Sequence, residues 1–220
     1  MLRRVIALNN NGVMTLYSGR FQEAVLCFRH AAEYIRALAA TQPTFSSLSW
    51  IHGVSLGHCP LSSMTEEEIM KISPHNPFSI YRTAFTIPKD CEVDVHDPTL
   101  SSIVFYNLGL ALHMTGYSSL NEFRACMSEA LENYKLSLSI LKARGEYPVG
   151  LFATVLGCIT NLGQIYSHFW KTNEAQSCLR SLENFLESDA TLSLPEADCL
   201  FFFSELSFSG ANTYSLAPAA

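Results

Sequence analysis

The stretch NNGVMTLYSGRFQEAVLCFRHAAEYI, residues 10–35, decides the fold class of this chain. From Phe21 onward its apolar residues recur every three or four positions, which is the period of an amphipathic helix. Gly19 stands just before that run, and glycine commonly follows the last turn of a helix. The stretch therefore predicts two helices joined by a tight turn.

Two further stretches align with the first. They are NLGLALHMTG from residue 107, continued by ALENYKLSLSIL from residue 130, and NLGQIYSHFWKTNEAQSCLRSLENFL from residue 161. In each unit a glycine on the first helix and an alanine on the second would allow the helices to approach to about 8–10 Å. These pairs are Gly12 and Ala24, Gly109 and Ala130, and Gly163 and Ala175. The bulky residues four positions after the alanines are expected in the core: Phe28, Tyr134 and Leu179.

The pattern resembles the tetratricopeptide repeat (TPR), a pair of antiparallel helices of about 34 residues. The resemblance implies an all-α chain in which about three antiparallel helical hairpins, at about 3–38, 99–143 and 149–187, stack into a TPR-like α-solenoid. It also implies a single domain over residues 1–220. The spacing departs from the family, because the interval from glycine to alanine is longer in the second unit than in the first and third, which share one interval. A generic helical bundle is the alternative, since small residues at helix crossings recur in many all-α folds.

A long insertion, about residues 41–97, separates the first two units. Its stretch FSIYRTAFTI, residues 78–87, is rich in aromatic and β-branched residues and predicts a strand or an extended lid, with residues 49–56 as the expected partner strand. A capping segment at about 195–208 is predicted as a helix or as a strand that pairs with residues 78–87. Ser119 and Glu122 form a capping-box pattern, and Gly116 is expected at a helix end.

Two patterns in the insertion suggest chemistry. Residues 53–57 match the G-x-S-x-G motif around Ser55, but His58-Cys59-Pro60 would break the helix that must follow a nucleophilic serine. Four potential metal ligands, whose spacing matches no zinc motif, are His58, Cys59, Cys91 and His96. We therefore expect no catalytic residue, no metal and no cofactor. A small serine hydrolase or metal-dependent enzyme with its site in the insertion stays as an alternative.

The resemblance implies a concave groove lined by the first helices. In TPR arrays the asparagine two residues before the glycine often binds a peptide backbone through its amide; here these residues are Asn10, Asn107 and Asn161. The basic residues with which the family binds acidic C-termini are replaced by Ile6, Ile103 and Gly157, which disfavours that class of ligand. The other expected groove residues are neutral or aromatic: Asn9, Val13, Tyr17, Tyr106, Leu110, His113, Gln164 and His168. The alternative is that the asparagines only cap or pack locally.

Composition limits the class of partner. The net charge is −6, and 14 Lys and Arg residues are scattered, which argues against binding to nucleic acid or to a membrane. Seven cysteines without a C-x-x-C pair indicate reduced thiols and a cytoplasmic, or else nuclear, protein. The prediction is a non-catalytic protein–protein interaction module that binds an extended peptide of an unidentified protein. A purely structural domain, with its groove filled by its own insertion or tail, is the remaining alternative.

Overall fold

The structure, a computed structural model, describes residues 2–41, 56–61, 78–89, 98–143, 149–187 and 194–213. The described chain is mostly helical and includes one two-stranded sheet. The helices are α1 (Leu2–Tyr17), α2 (Phe21–Thr41), α3 (Pro98–Ser118), α4 (Phe123–Lys142), α5 (Phe152–His168), α6 (Thr172–Leu186) and α7 (Glu196–Thr213). The strands are β1 (Gly57–Pro60) and β2 (Thr83–Thr86), and a short 3-10 helix (Val149–Leu151) precedes α5.

Consecutive helices pack in pairs. Helix α1 packs on α2, α3 on α4, and α5 on α6, while contacts of α2 with α3 and of α4 with α5 join the pairs in chain order. Helix α7 packs on α6. The predicted all-α class and the positions of the three helical pairs are confirmed. The capping segment is a helix, as the first of the two alternatives for residues 195–208 predicted, and residues 196–208 do not form the alternative strand.

The glycines predicted at helix crossings divide into two kinds. A Cβ atom on Gly12 would lie 2.7 Å from the ring of Phe28, and one on Gly109 would lie 2.9 Å from the ring of Tyr134. At both positions the absence of a side chain leaves room for the aromatic ring on the second helix of the same unit, as predicted. Gly163 instead faces Phe78, at 2.7 Å from a Cβ atom, so the third glycine admits a ring from the insertion.

Two predicted helix ends were wrong. Gly116 lies within α3, where a Cβ atom would come within 2.9 Å of Met127 on α4, so close helix packing accounts for this glycine. Ser119 does not cap α4, because the residue before the helix is Glu122, whose side chain makes no capping bond. The backbone carbonyl of Ser119 instead accepts the N–H of Glu122 at 3.1 Å, in the turn between α3 and α4.

The predicted strand within residues 78–87 is present, but its partner was predicted wrongly. β2 pairs antiparallel with β1, with Phe85 opposite His58 and Thr83 opposite Pro60. The sequence of β1 is GHCP, and glycine and proline have low strand propensity. Strand propensity alone therefore does not predict this strand. Of the residues expected to form the partner, 49–55 lie outside the described part of the chain.

We use "inserted segment" for residues 78–87. Its apolar side chains belong to the buried core together with those of the helices: Phe78, Ile80, Tyr81, Ala84, Phe85 and Ile87 are all buried. The cysteines in the described ranges are free thiols. None of the described helices combines the length and the hydrophobicity needed to cross a bilayer.

Candidate functional site

The first helices of the three pairs bind the inserted segment through one asparagine each. The side chain of Asn161 accepts the N–H of Tyr81 at 2.8 Å and donates to its carbonyl at 3.1 Å. Asn107 makes the same two bonds to Phe85, at 3.0 and 2.8 Å. Asn10 makes them to Ile87, at 2.9 and 2.7 Å. Each amide therefore satisfies both polar groups of one backbone residue, and we call the surface of α1, α3 and α5 that faces the segment the groove.

The asparagines also bind one another. Asn9 donates to the carbonyl of Phe85 at 3.1 Å and accepts from Asn107 at 2.9 Å. Its amide group also donates to Asn10 at 3.2 Å. Asparagines from two of the helix pairs are thus linked around the end of the inserted segment. The segment runs opposite to the order of the pairs, because its residue 81 lies on α5 and its residue 87 lies on α1.

The two edges of the inserted segment have different partners. Backbone groups of the odd-numbered residues 81 to 87 bind side chains of the helices. At Thr83 the donor is the hydroxyl of Tyr106, which lies 2.9 Å from the carbonyl. The opposite edge binds the β1 side, where the N–H of Leu61 reaches the carbonyl of Arg82 at 2.9 Å and Ala84 lies opposite Cys59. This alternation is that of an extended strand, so side-chain amides take the place of a neighbouring strand along one edge.

Helix α7 covers the beginning of the segment with two buried carboxylates. Glu205 accepts the N–H of Ser79 at 2.7 Å, and Asp198 accepts the hydroxyl of Tyr81 at 2.7 Å. The Tyr81 ring lies 4.7 Å from that of Phe202, centroid to centroid. Burial, and then the charge of Asp198, raise the pKa of Tyr81, so its hydroxyl keeps the proton that it donates.

A buried polar chain lies behind Asn161. Asn161 donates to the hydroxyl of Tyr134 at 3.0 Å, which lies 3.3 Å from Nδ1 of His113. Nε2 of His113 lies 2.8 Å from the side-chain oxygen of Gln164, whose amide donates to the hydroxyl of Tyr117. These bonds are all satisfied when His113 is neutral and carries its proton on Nε2. Burial lowers the pKa of His113 to about 4, which favours that neutral form.

The structure brings most of the predicted groove residues together, but it does not leave them exposed. Asn10 is half-buried, and Tyr17 is exposed at the end of α1. The others are buried: Asn9, Asn107, Asn161, Tyr106, His113 and Gln164. The inserted segment covers the groove, which corresponds to the alternative of a groove filled by the chain's own insertion. His113 and Gln164 lie in the polar chain behind the groove, whereas Tyr106 binds the segment directly.

Three residues that were not predicted as groove residues also hold the segment in place. Tyr134 was expected only as core bulk, yet its hydroxyl also binds Asn161. Asp198 and Glu205 are far along the chain from their bonding partners in the segment. Their one sequence signal is the presence of two acidic residues, seven positions apart, on the same face of a largely apolar helix.

The structure describes only some of the residues that were considered for catalysis or metal binding. Ser55, Cys91 and His96 lie outside the described residues. Gly57 begins strand β1, so the described chain directly after the G-x-S-x-G motif is a strand and not the helix that a nucleophile elbow requires. Nδ1 of His58 lies 2.9 Å from Asp198 but is not aligned for a hydrogen bond. Within the described ranges, no three histidine, cysteine or acidic side chains converge as metal ligands would.

Comparison of the chain with protein-family models, with curated proteins and with solved structures found no match. The groove and its occupant are therefore the basis for a functional assignment.

Proposed function

We propose that the chain is a TPR-like helical-repeat protein that acts as a non-catalytic interaction module and holds an extended segment in its groove. The observation that carries this proposal is the three asparagines, each of which binds both backbone groups of one residue of the inserted segment. Bonds to backbone groups give a site affinity for an extended chain, and any specificity must come from pockets for its side chains. The inserted segment is then an internal ligand, and the partner is a protein that presents a comparable segment.

The repeat architecture is supported by the packing of the helices. Three antiparallel helical pairs follow one another, and the first helix of each carries an asparagine two residues before a glycine. At Gly12 and Gly109 the aromatic ring four residues after the alanine of the second helix packs on the glycine. These are the contacts that a TPR-like unit requires. The insertion between the first two units supplies the occupant of the groove.

A purely structural role for the groove is the second candidate. It is favoured by the burial of Tyr81 and Phe85, which are 2% and 0% exposed and belong to the hydrophobic core. Removal of the segment would expose these rings, which opposes its displacement by a partner. The two candidates differ in whether the groove can bind the segment when it is no longer part of the chain.

Excision of the segment after folding separates the candidates. Protease recognition sites placed within residues 62–77 and within 90–97 allow the intact chain to fold before both connections are cut. The cuts leave the peptide and two helical fragments, which the contacts of α2 with α3 hold together. We expect the excised peptide to co-elute with the paired fragments on gel filtration and to exchange for a fluorescently labelled synthetic peptide of residues 76–89. Loss of helical circular dichroism on release of the peptide, or failure to take up the labelled peptide even on refolding with an excess of it, would establish the structural role instead.

The asparagines supply the matched control. The triple variant of Asn10, Asn107 and Asn161 to alanine should lose the excised peptide, since each amide makes two bonds to the segment and each bond contributes about 0.5–1.5 kcal/mol net. The comparison variant replaces three exposed asparagines, Asn11, Asn121 and Asn173, by alanine and should retain it. Equal retention by both variants would show that the asparagines do not hold the segment.

A further inference from the structure

Helix α5 carries two ring pockets that have glycine as their floor. A Cβ atom on Gly163 would lie 2.7 Å from the ring of Phe78, and one on Gly157 would lie 2.5 Å from the ring of Tyr81. Both distances are too short for any side chain at these positions while the rings stay in place. Both glycines lie inside α5, where glycine disfavours the helix relative to alanine, so their presence is explained by the rings that they admit.

The second pocket also has a polar end. Asp198 is 6% exposed and accepts the Tyr81 hydroxyl at 2.7 Å, while the rings of Phe201 and Phe202 lie 5.2 and 4.7 Å from the Tyr81 ring. A phenylalanine in this pocket would leave the carboxylate oxygen without its donor, and buried polar groups discriminate strongly against ligands that lack the matching group. The pocket is therefore built for tyrosine.

The groove also binds the backbone of this part of the segment. Asn161 binds both backbone groups of Tyr81, and Glu205 binds the N–H of Ser79. The side chain of Ser79 itself is exposed. Ser79 therefore contributes little to selection by its side chain, whereas the buried side chain of Ile80 favours an apolar residue directly before the tyrosine.

We infer that the groove selects an extended segment with the pattern Phe-x-Φ-Tyr, in which Φ is an apolar residue, and that a partner protein which binds it presents this pattern. The phenylalanine occupies the pocket on Gly163, and the tyrosine occupies the pocket on Gly157 with its hydroxyl on Asp198. The inference rests on the proposed function, because it names the ligand of the same groove. The inserted segment, with Phe78 and Tyr81, is the internal example of this ligand.

Competition by peptide variants tests the selectivity. The paired helical fragments that remain after excision are loaded with the labelled peptide of residues 76–89, and unlabelled variants of that peptide are added. We expect Phe78→Ala to compete about 100-fold more weakly than the unchanged peptide, and Tyr81→Phe about tenfold more weakly. The control peptide Ser79→Ala should compete within about twofold of the unchanged peptide.

A change in the groove tests the pocket from the other side. In the Gly163→Ala chain the new methyl group meets the Phe78 ring, so the affinity for the unchanged peptide should fall about tenfold or more, while the affinity for the Phe78→Ala peptide stays the same or rises. A chain that merely folds less well would lose affinity for both peptides equally, and that result would overturn the inference. So would equal competition by the Phe78→Ala, Tyr81→Phe and unchanged peptides. Retention of the labelled peptide in that case would leave the proposed function intact, whereas no retention of any peptide would reject the proposed function itself.

If the Gly163→Ala chain does not fold, Asp198→Asn replaces it. This change removes the charge but keeps an acceptor for the Tyr81 hydroxyl. The preference for Tyr81 over phenylalanine should then fall from about tenfold to about threefold. An unchanged preference would show that Asp198 does not select the tyrosine.

Discussion

The side-chain amide of Asn161 replaces a neighbouring β-strand for Tyr81, because it binds both the N–H and the carbonyl of that residue, at 2.8 and 3.1 Å. Asn161 is fully buried, so its removal leaves the N–H of Tyr81 without a partner and leaves its carbonyl only the hydroxyl of Tyr106 at 3.5 Å, with both groups out of contact with water. This pair differs from Asn10 and Ile87, which make the same bonds where Asn10 is only half-buried.

The first prediction compares these two asparagines. Asn161→Ala should lower the free energy of unfolding by about 2–5 kcal/mol, because two buried polar groups lose their partners, while Asn10→Ala should lower it by about 1 kcal/mol. Chemical denaturation followed by circular dichroism measures both. Asn173→Ala, at an exposed position of α6, serves as the control and should change stability by less than about 0.5 kcal/mol. Equal losses at positions 10 and 161 would contradict the role of burial.

The polar chain behind the groove gives the second prediction. Tyr134→Phe removes the hydroxyl that accepts from Asn161 and lies against His113, while the ring that packs on Gly109 stays. We expect a loss of about 1–3 kcal/mol, since two buried groups lose a partner. We also expect faster amide hydrogen exchange at Tyr81, because Asn161 is then less firmly oriented. Tyr17→Phe, at the exposed end of α1, is the matched control and should change neither quantity.

The helical frame could be predicted from the sequence because it depends on local patterns. The 3.6-residue period and the glycine–alanine pairs place α1 with α2 and α5 with α6 without knowledge of anything distant. The occupant of the groove could not be predicted in the same way. Residues 78–87 have strand propensity. Their sequence does not show that asparagine side chains, rather than a second neighbouring strand, bind the backbone groups along one edge of this strand.

The errors in the candidate site have a similar origin. Asn107 and Tyr106 were predicted to line the groove, but the helical pattern could not decide whether a partner or the insertion fills it, because the segment that covers them has a different period. Gly163 was assigned to a helix crossing, although it faces Phe78, which is distant from it in the sequence. Contacts between segments that are distant in the sequence determine which residues are buried and which side chain packs on a glycine. A local sequence pattern carries no information about these contacts.

A third prediction concerns pH. The pKa of His113 is lowered from 6.5 to about 4 by burial, so between these values the unfolded chain binds a proton that the folded chain does not. Stability should therefore fall as pH decreases from 6.5 to 4, and this residue accounts for about 3 kcal/mol of the fall. The contribution of His113 is constant above pH 6.5 and constant again below pH 4.

Two variants isolate this contribution. His113→Asn should be less stable at pH 7, but it should lose about 3 kcal/mol less than the natural chain between pH 7 and pH 4. His30→Asn, at an exposed position of α2, controls for the loss of one histidine. Denaturation curves at pH 7 and pH 4 measure the differences, in which the effects of the carboxylates cancel. The same loss of stability in His113→Asn and in the natural chain would show that His113 does not cause the dependence.

The last prediction concerns two equivalent turns. Gly19 between α1 and α2 and Trp170 between α5 and α6 both have left-handed backbone conformations, with φ of 74° and 58°. The next residue in each case, Arg20 or Lys171, donates its N–H five residues back, at 3.1 and 2.9 Å, as a glycine-ended helix does. Trp170 therefore occupies a position that favours glycine, and it is 85% exposed, so little packing offsets the strain.

Trp170→Gly should raise the free energy of unfolding by about 1 kcal/mol, and Gly19→Ala should lower it by about the same amount. Both changes are measured by denaturation followed by circular dichroism, because the first removes a tryptophan. A loss of stability in Trp170→Gly would mean that the exposed ring stabilises the turn by more than its backbone conformation costs.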